Sequence, residues 1–163
     1  MLATCFVVTV TSAGWVVAQP AWGQTGPPAF ADYPVAARYR GPRAAPRLRP
    51  GTAAWQFRTR IRETAAQPPN FAGHYVLATW GCGMECVSYA IIDAKSGAVY
   101  FANETVCCWG TALPNDIEPV HGRLDSRLLV CTGLLNERGS NTAHYYTFEK
   151  GRLVAVPHFR SKQ

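Results

Sequence analysis

The sequence predicts an α+β domain: a mainly antiparallel β-sheet of about five or six strands in meanders and hairpins, with one short helix packed on it. After Asn70 the sequence consists of short apolar runs bounded by turn residues, which is typical of strands. Short connections rich in Gly, Asp and Asn favour antiparallel neighbours. The chain has 163 residues, 48% of them hydrophobic, and six Cys. These values suit one small domain that disulfide bonds stabilise.

Residues 1–23 are interpreted as a signal peptide. Leu2–Ala18 is an apolar run, and Ala21-Trp22-Gly23 forms a small-x-small pattern that places the cut before Gln24. The run is shorter than the roughly 20 residues of a membrane-spanning helix. We therefore expect a periplasmic or secreted protein whose mature chain has no transmembrane helix.

Residues 24–53 are predicted to form an extended arm rich in Arg and Pro, because Pro recurs too often for a helix or a central strand. The net charge of the chain is +6, and the excess of cations lies between Gln24 and Phe71. The simpler interpretation is a solvated connector. The functional alternative is weak contact with an anionic surface through Arg38, Arg40, Arg43, Arg47 and Arg49.

A single globular domain is predicted over residues 54–163, and it begins with the candidate helix. Trp55–Ala66 fits both the period of a strand and the period of a helix. The helix is favoured because the segment ends in two Ala, is rich in Arg and stops at Pro68-Pro69.

The strands follow Asn70 at short intervals. Asp93 and Gly97 supply the turn between the second and third strands, and a polar loop over Asn136–Thr142 joins the fourth and fifth. The second strand is apolar on both faces, so the helix and the arm are expected to cover one of them. The predicted strands are Gly73–Gly81, Val87–Asp93, Ala98–Ala102, Arg127–Leu134, His144–Glu149 and Arg152–Val156.

Removal of the leader leaves five cysteines, and two bridges with one free thiol can be arranged among them in fifteen ways. Cys82 and Cys86 either bond to each other across a tight turn or bond to partners on neighbouring strands. Cys107 and Cys108 are the other disulfide candidates, and mid-strand Cys131 is the candidate free thiol. A zinc site is the less favoured alternative because adjacent cysteines are awkward ligands. No metal and no other cofactor is predicted.

Several aromatic side chains are candidates for binding a ligand. On a half-covered sheet, outward-facing rings form a platform for a sugar or for a partner protein. No Ser lies in a nucleophile elbow and no Gly-rich loop opens a helix, so no catalytic residue is assigned. The aromatic supply is Trp80, Tyr89, Tyr100, Trp109, Tyr145 and Tyr146, and the candidate ligand-binding residues are His74, Tyr75, Trp80 and Trp109.

Two motifs carry a resemblance. Asn70-Phe71-Ala72-Gly73-His74-Tyr75 is followed by Trp80-Gly81-Cys82-Gly83-x-x-Cys86. This N-F-A-G-H-Y and W-G-C-G-x-x-C pattern resembles an uncharacterised family of small exported proteobacterial proteins. The resemblance covers roughly the last two thirds of the chain. It implies export and brings no activity, substrate or catalytic residue with it.

The leading functional hypothesis is an exported cell-envelope protein that acts as a non-catalytic binding or inhibitor-like module, with an envelope protein or a glycan as partner. The alternative is a small periplasmic hydrolase or thiol enzyme that uses Cys82 or Cys86 with His74. That alternative requires a thiolate beside an imidazole.

Overall fold

The computed structural model describes residues 26–110 and 117–157, so the predicted signal peptide lies outside the described residues. The described chain is mainly an antiparallel sheet with few helical residues, which confirms the predicted fold class. In chain order its elements are a 3₁₀ turn (Phe30–Asp32), α1 (Ala53–Gln56), α2 (Arg58–Ala65), β1 (Tyr75–Gly83), β2 (Cys86–Asp93), β3 (Val99–Phe101), β4 (Val106–Cys107), β5 (Val120–Gly122), β6 (Leu128–Leu135), β7 (Arg138–Glu149) and β8 (Arg152–Ala155).

The predicted helix is present in two pieces, α1 and α2, which meet at Phe57. The hydroxyl of Thr52 accepts a hydrogen bond from the backbone N–H of Trp55 and caps α1. Ile61 and Ala65 form the buried side of α2. Among residues 26–110 and 117–157, no helix combines the length and the hydropathy that crossing a membrane requires.

The sheet has the strand order β1-β2-β4-β6-β7-β8, with β3 beside β2 and β5 beside β6. Every pair is antiparallel. The two-residue strand β4 pairs with β2 on one side and with β6 on the other. It therefore joins a first half, β1 to β3, to a second half, β5 to β8. The sequence did not predict β4 or β5, because runs of two or three residues are too short to show alternation.

The prediction of a polar loop over Asn136–Thr142 is wrong. Strand β7 begins at Arg138, and only Asn136 and Glu137 connect it to β6. Their φ angles are 52° and 60°, which suits the two-residue turn of a tight hairpin. Such turns usually carry Asn-Gly, so the Asn-Glu pair concealed this one.

The two faces of the sheet bury two separate clusters. Alternation along β2 sends Ile91 to one cluster and Ile92 to the other. The inner cluster contains Phe71, Ala72, Leu77, Tyr89, Ile91, Val106, Val120, Leu129, Cys131 and Phe148. The outer cluster contains Ile61, Ala65, Val76, Ala78 and Ile92. Helix α2 therefore covers the outer face of β1 and β2, as the two-sided apolar pattern predicted.

Part of the predicted arm lies against the domain. Residues 33–48, named the strap here, form backbone hydrogen bonds to it, and Leu48 packs against the outer cluster. Four backbone N–H groups of the strap donate to backbone carbonyls of the domain. The pairs are Val35 to Asp125 at 3.1 Å, Tyr39 to Gly73 at 2.8 Å, Ala44 to Ala94 at 2.9 Å and Arg47 to Gly97 at 2.6 Å.

Two glycines let the strap approach this closely. Gly73 and Gly97 have φ angles of 81° and 72°, a conformation that L side chains rarely adopt. A Cβ added at Gly97 would collide with the carbonyl of Ala45, and one added at Gly73 would meet the carbonyl of Ala37. The Gly of the N-F-A-G-H-Y motif therefore serves the docking of the strap.

The substitution Ile61→Ala tests the cover that α2 provides. Ile61 is fully buried, so truncation is expected to lower the free energy of unfolding by about 2 to 5 kcal/mol. Urea denaturation measures this loss. The exposed neighbour Arg60 provides the control, since Arg60→Ala should change the same quantity by less than about 0.5 kcal/mol. Equal effects of the two substitutions would contradict the packing.

Candidate functional site

A cavity of about 450 Å³ opens on the inner face of the sheet, between β2 and β3 of the first half and the β7–β8 hairpin of the second. We call it the aromatic cavity. Its volume falls within the usual range for small-ligand sites. Apolar lining comes from Tyr89, Ile91, Tyr100, Phe101, Ala102, Phe148 and Leu153, and the remaining lining residues are Asn103, Glu104, Asn136, Gly151 and Arg152.

A chain of hydrogen bonds runs from one wall of the aromatic cavity into the core. The Tyr89 hydroxyl donates to Oε1 of Glu104 at 3.2 Å, and the thiol of Cys131 donates to the Tyr89 oxygen at 4.0 Å. Burial raises the pKa of Tyr89, so the phenol stays neutral. The neutral phenol therefore directs its proton toward the Glu104 carboxylate and fixes the position of that carboxylate in the wall.

Ring contacts hold the opposite wall. The Phe148 ring centroid lies 5.3 Å from that of Tyr100 and 4.8 Å from that of Tyr75, both in edge-on geometry. The β7–β8 turn comes close to Tyr100 at Gly151, where an added Cβ would collide with the ring. Since rings in such contact lose little further freedom on binding, this wall is preorganised.

The polar residues of the cavity come from turns. Asn103 and Glu104 lie between β3 and β4, Asn136 lies in the β6–β7 turn, and Arg152 begins β8. The Asn136 side-chain oxygen accepts the backbone N–H of Thr105 at 2.9 Å, which ties two of these turns together. Sequence reasoning missed these residues because no local pattern marks turns that converge from distant parts of the chain.

The four predicted ligand-binding residues do not share one site, although the rings of His74 and Tyr75 are in contact, with centroids 4.0 Å apart. Tyr75 packs behind the cavity wall through its contact with Phe148. Trp80 packs on the outer face against Phe57, with ring centroids 5.0 Å apart. The carbonyl of Trp109 accepts a hydrogen bond from the side chain of Asn141. Of the wider aromatic supply, Tyr89 and Tyr100 line the cavity.

Phe57, between α1 and α2, and Phe101 of β3 cover part of the Trp80 ring, so this ring is only partly exposed. The Trp80 centroid lies 5.0 Å from that of Phe57 and 5.8 Å from that of Phe101. Its indole N–H is buried and finds no hydrogen-bond acceptor among residues 26–110 and 117–157.

His74 lies at the start of β1 beside the β2–β3 turn. Its Nε2 is 3.7 Å from Oδ1 of Asp93, and its carbonyl accepts the N–H of Ala94. Burial lowers the pKa of His74, and the charge of Lys95 lowers it further while Asp93 opposes both. Asp93 also accepts from the hydroxyl of Ser96. These contacts hold His74 against the β2–β3 turn, which indicates a structural role.

The cysteines adopt one of the fifteen possible arrangements. Cys82 bonds to Cys86 and Cys107 bonds to Cys108, while Cys131 is a buried free thiol. This confirms the four disulfide candidates and the prediction that Cys131 is unpaired. Burial raises the pKa of the Cys131 thiol to about 12, so the thiol is protonated at neutral pH.

The structure does not bring His74 to Cys82 and Cys86. His74 directly precedes β1, where Tyr75 pairs with Asp93, whereas Gly83 pairs with Cys86 at the other end of the same hairpin. Cys82 lies eight positions after His74 along an extended strand, which corresponds to roughly 25 Å. Within residues 26–110 and 117–157, no group of three or more His, Cys, Asp or Glu side chains is placed to hold a metal ion.

The five arm arginines are all exposed. Arg38 lies 3.9 Å from a carboxylate oxygen of Asp125. Arg43 borders a groove that Arg62 of α2 also lines. Arg47 and Arg49 line a second groove beside α1 and β3. The arm therefore holds these guanidinium groups on the surface while the backbone of the strap is fixed to the domain.

Alkylation of Cys131 tests the buried thiol. At pH 8 the raised pKa makes the thiolate fraction about a thousandfold smaller than in the unfolded chain. Iodoacetamide should therefore modify the Cys131 peptide at least about a thousandfold more slowly in native protein than in urea. Mass spectrometry of the digested protein measures both rates. Equal rates in the two states would contradict the burial.

The depressed pKa of His74 predicts an acid-dependent loss of stability. Below the ordinary value of 6.5 the unfolded chain binds a proton at His74 more tightly than the folded chain does. The free energy of unfolding should therefore fall as the pH is lowered from about 7 toward 5. Urea denaturation across this range should give a flatter profile for His74→Gln. A profile as steep as that of the wild type would show that another group is responsible.

No family model, curated protein or solved structure matches the chain. The resemblance to small exported proteins stays a prediction.

Proposed function

We propose that the protein is an exported cell-envelope binding module, without catalytic activity, and that its aromatic cavity binds a small hydroxylated ligand of the kind found in glycans. The observation that carries the proposal is a preorganised cavity of about 450 Å³ that combines aromatic walls with the carboxylate of Glu104 and the amide of Asn136.

The chemistry of the lining suits one sugar unit or a short glycan end. A sugar ring has an apolar C–H face, which packs on rings such as Tyr100, and hydroxyls, which need donors and acceptors. Glu104 supplies an acceptor, while Asn136 and Arg152 supply donors in fixed planar geometries. A flat protein partner would use little of a concave site, so the glycan is favoured over the envelope protein as the occupant.

The state of the cysteines supports binding over thiol catalysis. Cys82 and Cys86 are bonded to each other, so neither offers a thiolate, and His74 lies at the far end of their hairpin. Cys131 is free, but its thiol is buried and its pKa is raised to about 12. A nucleophilic cysteine needs the opposite, a lowered pKa beside a base.

Export is supported by the same bonds. Two disulfides in a chain of this size are typical of an oxidising compartment such as the periplasm or the exterior. The apolar leader that precedes Gln24 fits that destination. Weak contact of the exposed strap arginines with an anionic surface stays a prediction, and such contact would place the cavity near the envelope.

Binding of saccharides tests the proposal. The probes are a panel of neutral mono- and disaccharides that includes N-acetylglucosamine, and two-dimensional NMR titration of the oxidised protein is the measurement. We expect saturable shifts at residues of the aromatic cavity. Tyr100→Ala and Glu104→Gln should each weaken the affinity at least about tenfold, the loss of one good contact.

Arg38→Ala provides the matched control, since Arg38 is exposed and lies outside the cavity lining. Its affinity should equal that of the wild type. The proposal fails if no saccharide of the panel gives a saturable shift. It also fails if binding occurs and neither cavity variant weakens it.

A further inference from the structure

The two disulfides lie side by side at one end of the sheet. Cys86 of β2 and Cys107 of β4 are directly opposite each other in the antiparallel ladder. Opposite residues share a face, and their Cβ atoms lie about 4.5 to 5.5 Å apart. Because Cys86 bonds to Cys82 and Cys107 bonds to Cys108, four sulfurs are gathered here. We call these four residues the cysteine cluster.

The two bonds differ in geometry. Cys82 and Cys86 have a Cα–Cα separation of 5.1 Å, inside the usual range of about 4.4 to 6.8 Å. Cys107 and Cys108 are adjacent, so their separation of 3.8 Å is the ordinary one across a trans peptide. Cys108 has a φ of 57°, a strained region that residues other than Gly rarely occupy. Strained disulfides are the more easily reduced ones.

The two sulfurs of the bond between Cys107 and Cys108 differ in access. Cys107 is buried at 2% exposure, whereas Cys108 is exposed. Glu85 of the β1–β2 turn holds this exposed position, since its carbonyl accepts the N–H of Cys108 at 2.8 Å and its carboxylate accepts the N–H of Gly110 at 3.3 Å. An incoming thiolate therefore attacks Sγ of Cys108, and the sulfur of Cys107 is the leaving group.

We propose that the cysteine cluster is a thiol–disulfide exchange site that accepts two electrons from an external dithiol. This activity goes beyond ligand binding in the aromatic cavity. The dithiol can be a small molecule or a protein with two neighbouring thiols. Its first thiolate attacks Sγ of Cys108, the bond between Cys108 and Cys107 breaks, and a mixed disulfide forms while Cys107 leaves as a thiolate.

The second step uses the ladder geometry. The Cys107 thiolate attacks Sγ of Cys86 across the strand pair, the bond from Cys86 to Cys82 breaks, and Cys82 leaves as a thiolate. Opposite residues in an antiparallel pair have Cα atoms about 4.5 to 5.5 Å apart, which a disulfide accommodates. The product bond joins Cys86 and Cys107 and ties β2 to β4 directly.

The third step returns the dithiol. Its second thiolate attacks the sulfur of its own first thiol in the mixed disulfide, and Cys108 leaves as a thiolate. Cys82 and Cys108 each take up a proton that the dithiol releases. In total, one dithiol is oxidised to a disulfide, and the two bonds of the cluster become one bond and two thiols at the two exposed cysteines.

Limited reduction of the purified oxidised protein tests the exchange. Dithiothreitol is the probe, and acid quenching, alkylation and peptide mapping by mass spectrometry identify the products. The expected first product carries alkyl groups on Cys82 and Cys108 and a peptide pair joined through Cys86 and Cys107. Circular dichroism confirms that this product remains folded.

Two double variants separate the steps. Cys82→Ser with Cys86→Ser removes the second acceptor, so alkyl groups should then appear on Cys107 and Cys108. Cys107→Ala with Cys108→Ala removes the entry point, so reduction of the bond between Cys82 and Cys86 should become at least about tenfold slower than in the wild type.

Three results would overturn the proposal. One is reduction of the bond between Cys82 and Cys86 at an unchanged rate in the variant that lacks Cys107 and Cys108. Another is a wild-type product labelled on Cys107 and Cys108 with the other bond intact. The third is the opening of either bond only when the protein unfolds.

Discussion

The two-residue strand β4 is the constraint on which the structure depends. Through Val106 and Cys107 it pairs with β2 on one side and with β6 on the other, and thereby joins the two halves of the sheet. So short a strand offers few hydrogen bonds. Two disulfides reinforce this region covalently: one joins Cys107 of β4 to the next residue, Cys108, and the other joins Cys82 to Cys86 at the end of the β1–β2 hairpin. Gly133 on β6 makes room for this contact, because an added Cβ would collide with the carbonyl of Cys107.

The aromatic cavity follows from this arrangement. Its walls come from both halves, with Tyr89 and Tyr100 on the first and Phe148 and Leu153 on the second. The inner cluster fills the space near β4, and the cavity occupies the region where the β7–β8 hairpin meets β3. Helix α2 and Leu48 of the strap cover the outer cluster, whereas Val35 of the strap packs on the inner one, and none of them lines the cavity. The cysteine cluster and the aromatic cavity thus occupy separate places, and β2 contributes residues to both.

Sequence patterns predicted the parts of this fold that depend on local order. Strands β1, β2 and β6 and the helical segment ending near Ala65 were all predicted, and Cys131 was identified as the candidate free thiol from its apolar surroundings. The bond between Cys107 and Cys108 could not be selected from fifteen arrangements, because pairing depends on tertiary approach. Strands β4 and β5 carry too few residues for a period, and the Asn-Glu turn before Arg138 lacks the usual Gly. The cavity residues converge from separate turns, so no spacing along the chain marked them.

A disulfide map of the oxidised protein tests the central claim most directly. The protein is trapped in acid, alkylated in urea without reduction and digested, and mass spectrometry assigns each sulfur. The account predicts one peptide closed between Cys82 and Cys86, one closed between Cys107 and Cys108, and one that carries an alkyl group on Cys131. A bond that includes Cys131, or alkyl groups on all five of these cysteines, would contradict it.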